Sequence, residues 1–157
     1  MNNLEILKEL NLESFTRDEL DEIFKGLEKY LDISIYAKKE FNYSQMKQIR
    51  IGLENFLDTS LYAKPELSEY QMTQIRLVLE SNLDVSIFAN KEYSWEQMRQ
   101  IRLGLKSGID VSTYATPEYN SEKMQKKRLR LENKIDISGF VVSNYKEKTM
   151  KLIKKKC

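Results

Sequence analysis

The sequence predicts an all-α protein: an α-solenoid-like run of five helical-hairpin repeats, each a long helix plus a short helix, with capping helices at the N- and C-terminal ends. Three observations predict it. A residue pattern recurs every 26 positions along most of the chain. Helix-start signals stand at the same place in every copy. Only two Pro and five Gly occur in 157 residues, which suits long regular elements. With 41% hydrophobic and 32% charged residues, the chain is apolar enough to bury a core.

Residues 1–15 are expected to form the N-terminal capping helix. Leu4, Leu7 and Leu10 share a helical face there and would cover the first repeat. Residues 16–145 hold the five repeats, and 146–157 start a sixth as a basic C-terminal helix or tail. Each repeat opens on an N-cap: Thr16, Asn42, Ser68, Ser94 and Asn120. Three residues on stand Glu19, Gln45, Gln71 and Gln97, completing capping boxes, and Lys123 in the fifth copy. The residue before each cap (Phe15, Phe41, Leu67, Tyr93, Tyr119) can pack on the Leu or Met at the fourth helical position as a hydrophobic staple.

The long helix that follows is expected to run about 14 residues, within the usual globular range. Met98, Ile101, Leu105 and Ile109 form its buried stripe. Gly26, Gly52 and Gly104 stand inside it, with Val78 and Arg130 at the same position in the other copies. Helix-interior Gly costs about 1 kcal/mol against Ala, which close approach of a neighbouring helix would offset. The helix stops before an unbroken Asp row (Asp32, Asp58, Asp84, Asp110, Asp136), with a Ser two residues later. Each Asp suits the N-cap of a second, short helix such as residues 84–89. An aromatic row follows, Tyr36, Tyr62, Phe88, Tyr114 and Phe140, expected in the core. In the partial sixth copy, Met150 and Ile153 keep the stripe and predict a last helix.

Composition narrows the chemistry. The chain has no His, which removes the commonest general base and metal ligand, and its one Cys is Cys157. No Walker loop, dinucleotide-binding glycine motif or nucleophile–base pair is present. The expectation is no enzyme, no catalytic residue, no metal and no cofactor. No apolar run is long enough for a transmembrane span, and the N-terminus lacks a signal-peptide pattern, so a soluble cytoplasmic protein with no membrane partner is expected.

Two sets of cations are candidate binding residues. The first is the Arg row, Arg50, Arg76, Arg102 and Arg128. At helix-packing distances these would lie about 9 Å apart and could grip a phosphate backbone or an acidic partner. The same row could instead be a structural ladder, pairing with the Asp row or with Glu54, Glu80 and their equivalents. The second set is the basic end. Residues 120–157 carry twelve Lys and Arg against four Asp and Glu, whereas residues 1–40 carry six against ten. Lys123, Lys126, Lys127, Arg128, Arg130, Lys151, Lys154 and Lys155 make up the candidate patch. It could dock nucleic acid, a ribonucleoprotein or an acidic protein face, or serve as a solvated end that terminates the repeats. The opposite charge of the two ends also permits head-to-tail self-association.

The phrase QMRQIRLGLKSGIDVSTYATPEY, with QMKQIRIGLENFLDTSLYAKPEL and QMTQIRLVLESNLDVSIFANKEY, resembles a short helical repeat of Firmicute-type bacteria and their phages and mobile elements. The resemblance covers residues 16–145. It implies a non-enzymatic protein-binding protein, and for a phage or mobile element an inhibitor of a CRISPR or restriction-type defence complex. The expected partner is a protein or ribonucleoprotein complex. The alternatives are nucleic-acid binding through the basic end and a self-assembling structural protein.

Overall fold

The computed structural model describes residues 3–134, all helices, turns and loops with no strand among them. Among the described residues the α-helices are α1 (Asn3–Glu9), α2 (Arg17–Glu28), α3 (Tyr43–Glu54), α4 (Glu69–Glu80), α5 (Trp95–Lys106) and α6 (121–134). The helices α2 to α5 each run 12 residues, and each packs against the next in chain order. Asp136, Ser138, Phe140, Met150, Ile153 and the expected last helix lie outside the described residues, as do Lys151, Lys154 and Lys155.

The helix starts follow from local chemistry. Thr16, Asn42, Ser68 and Ser94 each accept from the backbone N–H three residues on, and Glu19, Gln45, Gln71 and Gln97 each accept from the cap's own N–H at 2.7–2.9 Å. Each cap contributes about 1 kcal/mol. In the fifth copy only half the box survives: Lys123 N–H donates to Asn120 at 2.9 Å, but an ammonium cannot accept in return. The staple residues Phe15, Phe41, Leu67 and Tyr93 are buried, and Leu20, Met46, Met72 and Met98 lie in or against the same core cluster.

The helix ends are as regular. The N–H groups of Leu31, Leu57, Leu83 and Ile109 return to the carbonyls of Gly26, Gly52, Val78 and Gly104 at 2.9–3.2 Å. This is a Schellman closure, and it places the preceding residue in the left-handed region. Those residues are Tyr30, Phe56, Asn82 and Gly108, with φ of 57°, 56°, 51° and 69°. Gly and Asn suit such a position; Tyr and Phe do not.

Among the described residues the short second helix is no more than a single 3-10 turn. In three copies it shrinks to one 3-10 turn, at Ile33–Ile35, Thr59–Leu61 and Val111–Thr113, and in residues 84–89 only turns are found. The Asp row still caps the turn: Asp32, Asp58, Asp84 and Asp110 each accept from the backbone N–H and the hydroxyl of the Ser two residues on. The local bonds compete with a helical ladder. A tight bond from the residue two after each aromatic then closes the segment, such as Lys38 N–H to Tyr36 O at 2.7 Å.

Two further expectations are revised. The N-terminal helix is α1, and its buried residue is Ile6, with Leu7 and Leu10 beside the core; Leu4 is 62% exposed. Asn3 fastens it to the first repeat, donating to Leu31 O at 2.8 Å and accepting from Ile33 N–H at 3.4 Å. The helix-interior glycines make room for a tyrosine of their own copy and not for a neighbouring helix. A Cβ on Gly52 would lie 1.8 Å from the Tyr62 hydroxyl oxygen. Tyr36 and Tyr114 stand over Gly26 and Gly104 in the same way. The hydroxyls donate to the carbonyls of Glu22, Gln48 and Gln100 at 3.0–3.2 Å.

Candidate functional site

The Arg row is brought together along the line where consecutive long helices meet, and there it is engaged by the protein itself. Arg50 Nε donates to Glu22 at 2.7 Å, Arg76 Nε to Gln48 at 3.0 Å, Arg102 Nε to Gln74 at 2.8 Å and Arg128 Nε to Gln100 at 3.2 Å. Every acceptor is 28 residues earlier, on the preceding long helix. A second nitrogen of the guanidinium meets the carboxylate one turn on: Glu54 for Arg50, Glu80 for Arg76, Glu132 for Arg128. The sequence suggested those glutamates; the Asp row takes no part. Phe24 stands at the Arg position of α2, where no earlier long helix supplies an acceptor.

The first rung is the most enclosed. Arg50 is 8% exposed and Glu22 4%. Burial works against the charged guanidinium, and the bonds and charges of Glu22 and Glu54 more than offset it, so Arg50 is held above its ordinary pKa. Glu54 is likewise held below the usual carboxylate range: burial opposes the charge, and Lys29 and Arg50 outweigh it. Arg102 departs from the pattern, because the residue one turn on is Lys106. Desolvation, with Arg99 nearby, lowers its pKa.

A second ladder runs through the box glutamines. Gln45 Nε2 donates to the carbonyls of Pro65 and Leu67 at 3.2 and 2.7 Å, Gln71 to Tyr93 at 2.7 Å, and Gln97 to Pro117 and Tyr119 at 3.0 and 2.7 Å. Each of these side chains caps its own helix and holds the turn that leads into the next. A third row crosses at the helix ends: Lys29 to Glu54 at 2.7 Å, Asn55 to Glu80 at 2.9 Å and Ser107 to Glu132 at 2.8 Å.

The basic end is different in kind. Lys126 and Arg130 are exposed, and Lys126 pairs with Glu122 on its own helix, at 2.8 Å. Lys123 and Lys127 lie 3.7 and 5.1 Å from the centre of the Tyr119 ring. Lys127, Arg130 and Lys134 line an open cleft of ≈ 210 Å³ with Thr113 and Leu131. Arg128 belongs to the Arg ladder. Thus Lys123, Lys126, Lys127 and Arg130 replace the box glutamine, the ladder acceptor, the stripe Ile and the helix-interior Gly of copy four.

Two side chains outside the sequence-derived candidates are almost fully exposed, Tyr30 at 94% and Phe56 at 97%. The available signal was positional: the matching residues Asn82 and Gly108 are those a left-handed helix terminus favours.

Among the described residues, no three His, Cys, Asp or Glu side chains converge into a group that could hold a metal ion. No described helix is long and apolar enough to cross a membrane. Comparisons with protein-family models, curated proteins and solved structures find no match for this chain.

Proposed function

We propose that the chain is a non-enzymatic, protein-binding helical-repeat protein, an α-solenoid of five repeats over residues 16–145 with residues 1–15 and 146–157 as its ends. The observation that carries this reading is the triple ladder between consecutive copies. Polar side chains of the repeat hold one copy to the next: Arg50 to Glu22, Gln71 to Tyr93, Ser107 to Glu132. A unit of this size cannot bury its faces alone, so a repeated scaffold gains stability from its neighbours and presents a long surface. Such a surface suits stoichiometric binding. Copy five fits the end of the ladder: Lys126 cannot accept from an arginine, and Lys123 cannot complete a box.

The repeat resemblance extends the proposal to a phage or mobile-element protein that blocks a bacterial defence complex by occlusion. The test is purification of the tagged chain from its host cells, followed by reconstitution with the purified partner. A stable complex of fixed stoichiometry supports the reading. Multiple turnover of a nucleotide, nucleic acid or peptide by the pure chain overturns it.

A second reading is favoured by the cleft lined by Lys127, Arg130 and Lys134. Here the basic end holds nucleic acid or the nucleic-acid part of a ribonucleoprotein. It predicts a salt-dependent mobility shift with RNA or DNA that disappears when Lys126, Lys127 and Arg130 are neutralised. No shift at low salt removes this reading.

A further inference from the structure

The edge where α2 and α3 end displays two aromatic rings that the fold does not use. Tyr30 and Phe56 are 94% and 97% exposed, so neither ring gains from burial. Both hold φ near +57°, a region a bulky side chain adopts only at a cost. The same turn closes equally well in the next two copies with Asn82 and Gly108. Folding alone would therefore favour Asn or Gly at positions 30 and 56. The two positions are equivalent and lie at the ends of packed neighbouring helices. Lys29 of α2 bonds Glu54 of α3 at 2.7 Å and ties the two helix ends together, which sets the two backbone positions about 10 Å apart at helix-packing distance.

The charge around them is negative. Glu28, Asp32 and Asp58 are exposed. Asp32 and Asp58 use only Oδ1 for the Ser34 and Ser60 bonds, leaving the second oxygen without a bond to any described residue. The nearby cation, Lys29, is held by Glu54. The last carbonyls of α2 and α3 add the negative end of each helix dipole. Exposed ring faces with free carboxylates beside them suit Lys or Arg side chains, which stack on the ring and pair with the acid.

Building on the binding role above, we propose that this edge is the docking surface, and that its occupant is a basic, Lys/Arg-bearing segment of a protein partner. One partner cation lies over Tyr30 beside Asp32, and another over Phe56 beside Asp58. Nucleic acid is repelled from this edge.

The test uses the full chain and its Tyr30→Asn/Phe56→Asn variant. The probes are a short labelled peptide of alternating Arg and Ala, its Glu/Ala counterpart and a labelled oligo-dT, read by fluorescence anisotropy at low salt. The Arg peptide binds the parent chain, and the variant loses roughly tenfold in affinity, as two exposed cation–π contacts are removed. The melting temperature of the variant rises, because Asn tolerates the left-handed backbone; an unfolded variant is thereby told apart from a lost contact. Unchanged Arg-peptide affinity in the folded variant overturns the proposal. So does binding of the Glu peptide or the oligo-dT that the variant weakens as much as it weakens the Arg peptide. Self-association of the parent chain that the variant abolishes assigns the edge to a second copy and overturns the separate partner. If the reconstituted complex forms equally well with the variant, this edge is not the docking surface while the binding role stands.

Discussion

The Tyr62 hydroxyl oxygen lies 1.8 Å from where a Cβ on Gly52 would be, so the two residues exclude each other's enlargement. The third copy makes the complementary choice, Val78 with Phe88, both fully buried. Losing the hydroxyl leaves space for the valine side chain. Gly52→Ala should therefore cost roughly 2 kcal/mol, as overpacking does. Adding Tyr62→Phe should recover most of it, and Phe88→Tyr alone should destabilise until Val78→Gly is added. Urea denaturation of the double-mutant cycles measures the coupling. Strictly additive effects would show that the pairs do not interact.

The first rung of the Arg ladder should be far more sensitive than the later ones. Arg50→Met leaves the buried carboxylate of Glu22 with only the half-exposed Lys25, 3.1 Å away, a loss of about 3 kcal/mol. Arg76→Met leaves a neutral Gln48 and should cost about 1 kcal/mol. The double variant Arg50→Met/Glu22→Leu should return close to the parent stability. Denaturation midpoints of the three variants check the order.

At Lys106 the ladder lacks the acid that Arg50, Arg76 and Arg128 each have one turn on. Lys106→Glu should let Arg102 complete its rung and raise stability by roughly 0.5 kcal/mol, the value of an exposed pair of this spacing. A melting curve that moves down in place of up would contradict the ladder as a stabilising device.

Acid should loosen the protein through named groups. Burial opposes charge on Glu19 and Glu132, but Lys39 and the Thr16 N–H outweigh it at the first, and Arg128 and Ser107 at the second; both pKa values fall below 4.5. Asp84 and Asp110, held by Ser86 and Ser112, fall below 3.8. A carboxylate with a depressed folded pKa contributes fully above its unfolded value and is lost as the pH drops through the folded one. Stability should thus be flat near neutrality and decline below about pH 4.5. At the alkaline end the sign reverses: burial pushes Tyr114 up to about 12, and Tyr36 and Tyr62 rise for the same reason. Stability should fall above about pH 10 as these three phenols are driven to ionise, visible by tyrosinate absorbance alongside helical circular dichroism.

Much of this was legible in the sequence because capping is local chemistry. Thr16 with Glu19, or Ser94 with Gln97, states a helix start within four residues. The Asp–Ser turn was equally plain, yet its outcome was not: a cap promises a helix only if enough residues follow. The cross-copy partners were hidden because they depend on packing. Arg76 has acidic neighbours in sequence, and nothing local singles out Gln48, 28 residues earlier, as the acceptor for its Nε. The Gly52–Tyr62 contact could have been read from the paired exchange to Val78 and Phe88. For the candidate site, regular rows such as Arg50, Arg76 and Arg128 proved to be engaged within the protein. Tyr30 and Phe56 escaped notice because an aromatic residue in sequence reads as core.

Three side-chain ladders join consecutive long helices, all three at α3–α4 and α5–α6 and two of them at α2–α3 and α4–α5, so each 26-residue copy should behave as one structural unit. Duplicating residues 68–93 in place inserts one such unit between existing ones. Small-angle X-ray scattering should then show a particle longer by about one helix spacing, roughly 9 Å, with cooperative unfolding shifted to higher urea as an added interface contributes. An unchanged maximum dimension, or an inserted copy that unfolds separately from the rest, would contradict it.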